Sequence, residues 1–223
     1  MAPTTKIARR AGAIYFVFMV AGILGEFVLP SLVVPDDPAA SLQNIAASLL
    51  TYRASLLLHL SSQVIFLVLV VELYRLFEAV DRGLSVLMVL LVGVAVALAL
   101  SNAIGRFAPL VLIDHGPAFS AFTQAQREGI GFSALRVASS SSVLHMSFWG
   151  FWLFPFGILI IRSRFIPAVF GWLLLVAGVA YCFMSVVGIL APAYRAAAFR
   201  YLMPLYFGEV PIIFWLLIKG TRD

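Results

Sequence analysis

The chain has 223 residues, of which 63% are hydrophobic and only 11% charged, with a mean hydropathy of +1.06. Soluble domains carry a charged fraction of about a quarter, so this composition excludes a water-solvated globule. A formal charge of +5 would suit a nucleic-acid binder, but the basic residues stand singly or in pairs at the ends of apolar runs and not along one face, which is the pattern of membrane orientation and not of a nucleic-acid-binding patch.

Uncharged runs of about 20 residues, the length that crosses a bilayer core, recur along the chain. They predict an all-α, polytopic integral membrane protein. One domain over residues 1–223 would form a bundle of six transmembrane helices, with short amphipathic interfacial segments in the outer loops. The first span, 11–30, follows Lys6, Arg9 and Arg10 and lacks a cleavage site of small residues, so it reads as a retained helix. Ala21, Gly22 and Gly25 offer a smooth strip for another helix. Glu26 lies near its far end, on the face of Tyr15, Met19 and Gly22. In the next stretch Asp37 suits an N-cap and Pro38 a first helical residue. Leu42, Ile45, Ala46 and Leu49 then give a short helix an apolar face for the membrane surface.

The second span, 53–76, carries Ser55, His59, Ser62 and Gln63 as a polar stripe inside an apolar run. Within lipid such a stripe needs partners. Glu72, three residues before Arg75, predicts an ion pair at the boundary. The third span, 84–104, leads to Asn102 and Arg106 on one small, polar face with Ala95 and Ala99. Residues 107–139 then read as the longest loop, an interfacial segment in which Phe119, Phe122, Ile130, Phe132 and Leu135 alternate with polar residues. Asp114-His115 reads as loop polarity and Ser139 to Ser142 as a helix start. The fourth span, 140–161, places Ser142, His145, Trp149 and Trp152 along one side. The fifth, 167–191, has Gly171 and Gly178 as packing positions. The sixth, 201–218, holds Glu209 between Pro204 and Pro211, which predicts a helix bent or opened around a carboxylate. The single cysteine, Cys182, allows no intrachain disulfide and no thiolate metal site.

With six spans, nine Lys and Arg residues fall on the side of the termini and six on the other. That surplus predicts cytoplasmic termini.

The phrases Ala8-Arg-Arg-Ala-Gly-Ala-Ile-Tyr15, Ala21-Gly-Ile-Leu-Gly-Glu26, Asn44-Ile45 before Tyr52-Arg53, Arg162-Ser-Arg-Phe-Ile-Pro167, and Phe207-Gly-Glu209 through Trp215 to Gly220 run the length of the chain. Together they resemble the bacterial multi-pass membrane family catalogued as domain of unknown function 4386. The resemblance implies a six-helix bacterial membrane protein whose activity has not been assigned, and the membrane expected for it is the inner one. It carries over no catalytic residues.

Glu26 is sixteen residues from Arg10, His59 sixteen from Arg75 and His145 seventeen from Arg162. At the helical rise, all three lie about 24 to 26 Å from the cytoplasmic boundary, in the outer part of a core about 30 Å thick. Asn102 and Arg106 fall somewhat further out and Glu209 near mid-depth. The expectation is an outer-half pocket of Glu26, His59, Gln63, Asn102, Arg106, His145 and Glu209 that binds a small polar or lipid-like ligand. Arg106 would pair with Glu26 or Glu209, or receive an anionic head group. Two alternatives stand beside this. Glu26, His59, His145 and Glu209 have the chemistry to hold a divalent metal in a hydrolase acting at the outer leaflet, or two histidines to grip a haem iron. Glu209 would instead titrate in a proton-coupled carrier. The histidines also fit a plainer role as hydrogen-bonding links between helices. The only lysines, Lys6 and Lys219, stand at membrane edges and exclude an internal Schiff base. No phosphate-cradling glycine loop or nucleophile elbow occurs.

Overall fold

The computed structural model describes residues 3–114 and 119–222; His115 of the predicted loop pair lies outside them. All regular elements among the described residues are helical. In chain order they are α1 (Pro3–Leu32), α2 (Pro38–Ala47), α3 (Leu49–Phe77), α4 (Arg82–Ile113), α5 (Gln124–Ser163), α6 (Ala168–Leu190), α7 (Arg195–Tyr206) and α8 (Val210–Ile218). Short 3₁₀ turns at Pro192–Tyr194 and Phe207–Glu209 flank α7. Six stretches are long and apolar enough to cross a membrane: Thr4–Glu26, Leu49–Phe77, Arg82–Ile113, Gln124–Ser163, Ala168–Leu190 and Pro192–Ile218.

The described residues form two compact units. The first comprises the chain up to Phe18, Val64–Leu98, and the chain from Val143 onward. Its core is aromatic: Phe18 stacks on Phe66 at 4.5 Å, Trp152 stacks on Phe156 at 5.2 Å, and Phe66 meets Trp152 edge-on at 5.2 Å. Such offset and edge contacts add roughly 0.5–1.5 kcal/mol beyond area burial. Glycines let α5 and α6 touch backbone to backbone. A Cβ on Gly171 would stand 2.5 Å from the Gly157 carbonyl oxygen, and one on Gly178 3.0 Å from that of Gly150. Both predicted packing positions are therefore crossing points. The sixth span is broken as expected. Proline removes a backbone donor, and the chain tightens to a 3₁₀ turn at Phe207–Glu209 between Pro204 and Pro211.

The second unit comprises Met19–Gln63 and Ala99–Ser142. Ile45, Tyr52, Leu56 and Leu135 form a buried cluster in it, with Leu32, Val33, Leu110 and Ile113 packed against them. The short helix α2 starts as its sequence dictates. Asp37 Oδ1 accepts from the Ala40 N–H at 2.9 Å, and Pro38 occupies the first turn, where a missing N–H costs nothing.

Residues 107–139 differ from the expected loop. Helix α4 continues through Arg106 and Pro109 to Ile113, and α5 begins at Gln124, well before Ser140. The polar residues that suggested boundaries are satisfied inside the helices. Ser141 and Ser142 donate to the carbonyls of Ala138 and Ser139, one turn back, so the serines do not stop the helix. The true start is capped reciprocally: Thr123 Oγ1 accepts from the Gln126 N–H, and Gln126 Oε1 from the Thr123 N–H at 2.8 Å.

Candidate ligand-binding site

Within the second unit, Gly25 brings α1 close to α3. A Cβ at that position would sit 2.9 Å from His59 N and 3.2 Å from His59 Cα. No side chain larger than hydrogen fits there, and the close approach sets Glu26 beside the polar stripe. Gly22, expected to share this role, has nothing among the described residues within 4 Å of its Cβ position.

Glu26 is the hub. Arg106 of α4 grips it with both terminal nitrogens, Nη1 to Oε1 at 2.9 Å and Nη2 to Oε2 at 3.0 Å. Such a two-pronged pairing of guanidinium and carboxylate is among the stronger ion pairs. On the other side His59 Nδ1 lies 2.8 Å from Glu26 Oε1. The His59 and Arg106 side chains are 7% and 11% exposed, against 48% for Glu26, so the cluster opens at the carboxylate. Tyr52, one further step along the same face of α3, donates its hydroxyl to the Arg106 carbonyl at 2.6 Å and ties α3 to α4.

The hydrogen-bond ledger leaves specific atoms over. With Nδ1 directed at Glu26, His59 leaves Nε2 as its second polar atom. Among the described residues nothing bonds buried His59 Nε2, Arg106 Nε, Gln63 Oε1 or Asn102 Oδ1. Orphaned buried polar atoms are uncommon and costly, so each calls for an explanation. Gln63 lies one turn from His59 on α3, and Asn102 one turn from Arg106 on α4. Their amide nitrogens are occupied, Gln63 Nε2 by Ser62 Oγ at 3.1 Å and Asn102 Nδ2 by Ser141 Oγ at 3.0 Å and the Ala138 carbonyl at 2.5 Å. The serines of the stripe are satisfied by their own helix, Ser55 by the Tyr52 carbonyl and Ser62 by that of His59.

His145 and Glu209 belong to the first unit. His145 packs against Trp149, ring centres 4.9 Å apart. Glu209 Oε2 accepts from the Tyr15 hydroxyl at 2.7 Å, while Tyr181 stacks on Tyr206 at 4.4 Å nearby along α6 and α7. Among the described residues no three His, Cys, Asp or Glu side chains are grouped closely enough to hold a metal ion. The predicted pair of Glu72 and Arg75 forms at 2.8 Å, and Arg10 joins it.

Tyr52 and Arg10 are the partners that sequence reasoning left out. Tyr52 precedes His59 by seven residues, two helical turns, and that spacing was the available signal.

Six spanning-length helices and an ion-paired polar cluster carried on three of them define a polytopic α-helical membrane protein. The chain belongs to the family described as Domain of unknown function (DUF4386), which it matches over residues 10–220. No curated protein and no solved structure matches it.

Proposed function

We propose that this protein is a non-enzymatic receptor of the bacterial inner membrane, with both termini in the cytoplasm. It takes a small polar or lipid-like ligand from the outer side at Glu26, His59 and Arg106. One observation carries the reading: the amide oxygens Gln63 Oε1 and Asn102 Oδ1, with His59 Nε2 and Arg106 Nε, are buried without partners among the described residues, on the two helices whose His59 and Arg106 hold Glu26. That complement favours a ligand rich in hydroxyl or amine donors. Glu26 already neutralises Arg106, so a purely anionic ligand gains little there.

Mass spectrometry of molecules retained by protein purified in a mild neutral detergent tests this. A stoichiometric polar molecule or lipid bound to wild type, and lost in His59→Ala without loss of fold, is the expected result. If wild type retains nothing, and glycerol, ethanolamine and phosphatidylethanolamine cause no melting shift that His59→Ala removes, the reading fails.

A second reading, an acid–base hydrolase of lipid-borne substrates, is favoured by the contact between Glu26 and His59. A carboxylate on Nδ1 orients an imidazole so that Nε2 can take a proton from water. Turnover of a short-chain phospholipid ester that His59→Ala abolishes would select it over the receptor.

A further inference from the structure

At the opposite end of α1 and α3, within the first unit, the chain builds a second polar arrangement. Glu72 of α3 is a buried carboxylate, its side chain 8% exposed. Arg10 of α1 donates to Glu72 Oε2 from Nε at 2.8 Å and also from Nη2, and Arg75 donates from Nη1 to Oε1 at 2.8 Å. Among the described residues Glu72 is the only carboxylate paired with either arginine. The trio therefore keeps one positive charge in excess. Both arginine side chains are about half exposed, at 55% and 54%. Two arginines thus stand side by side, fixed by one buried anion, with donors still turned outward.

An apolar groove of about 330 Å³ runs between the same two helices, lined by Ala13, Ile14 and Val17 of α1 and Val64, Ile65 and Val68 of α3. The register links it to the arginines. Ala13, Ile14 and Val17 follow Arg10 by three, four and seven residues, and Val68 precedes Arg75 by seven. Those spacings repeat one helix face. At the helical rise, the groove begins about 5 Å along the helices from the arginine positions and reaches about 16 Å from them at Val64. The charged trio thus stands at one end of an apolar groove that follows the same two helices.

We infer that Arg10 and Arg75, held by Glu72, clamp the phosphate of an anionic phospholipid whose acyl chain lies in the groove between α1 and α3. Guanidinium groups match phosphate oxygens in pairs, and basic pockets between helices at the membrane boundary hold anionic head groups. The surplus charge selects an anionic lipid over a zwitterionic one. The slot selects a lipid over a free anion.

The test adds dioleoylphosphatidylglycerol, dioleoylphosphatidylcholine or inorganic phosphate to protein in neutral detergent micelles and measures lipid adducts by native mass spectrometry. Wild type should bind the glycerol lipid about tenfold more tightly than the choline lipid, and the Arg10→Gln/Arg75→Gln variant should lose about that factor. Ala13→Trp fills the slot from an exposed position, leaves the arginines in place and should weaken binding to a similar degree. It decides the question if the double variant does not fold. His59→Ala should leave this binding unchanged, which separates the clamp from the ligand site proposed above. Equal binding of the two lipids overturns the inference. So does competition by inorganic phosphate together with unaltered binding in Ala13→Trp, which would mark a site for free anions.

Discussion

Arg106 sits inside a helix that by composition belongs to hydrocarbon, and its position is stable because Glu26 reaches it with both carboxylate oxygens. Removing one member of such a pair strands the other charge. Glu26→Gln should therefore lower stability by roughly 2 kcal/mol, less than for a fully enclosed pair because Glu26 is half exposed. The double variant Glu26→Gln/Arg106→Gln should cost less than the sum of the single changes, since neither charge then remains alone. Melting curves of the three variants in one detergent check this, and strict additivity would show that the pair is not coupled. Tyr52→Phe should cost about 1 kcal/mol by freeing the Arg106 carbonyl. The sequence made the pairing of Arg106 legible as a choice between Glu26 and Glu209, because an intramembrane guanidinium demands a carboxylate. It did not decide between them. Sequence spacing gives depth along each helix, whereas partner choice depends on which helix faces lie together.

Helix contacts in this chain are set by where side chains are missing. Gly25 and Gly22 lie on the same helix three residues apart, yet only Gly25 meets a neighbour, the backbone at His59. Gly25→Leu should disrupt the pairing of Glu26 with His59 and lower the melting temperature sharply. Gly22→Leu should be tolerated, because its Cβ position is open and leucine is the better helix former. Equal behaviour of the two variants would contradict the close approach. The α2 cap, the broken sixth span and the crossings at Gly171 and Gly178 were legible because each rests on chemistry local to a few residues. The extents of α4 and α5 were not. Arg106 and the run Ser139 to Ser142 look like boundary signals, and only tertiary partners or back-bonding to the preceding turn cancel them.

At the scale of the molecule, the described residues hold six membrane-length helices, an even number, and under the proposed orientation both termini are cytoplasmic. In a Cys182→Ser background, a membrane-impermeant maleimide applied to intact cells should label Gln43→Cys. Glu78→Cys should react only after permeabilisation. The reverse pattern inverts the topology. The two ends of the chain are also joined. Gly12 lies against the backbone of Leu216 and Leu217, Thr5 meets Thr221, Arg9 donates to the Ile218 carbonyl, and Tyr15 donates to Glu209 across 194 positions of sequence. In synthesis α1 precedes Pro204–Ile218, so the face of α1 that carries Gly12 and Tyr15 is covered only after that later segment has left the ribosome. A chain that stops before Pro204 therefore leaves Gly12 and Tyr15 without the groups they pack against and bond to.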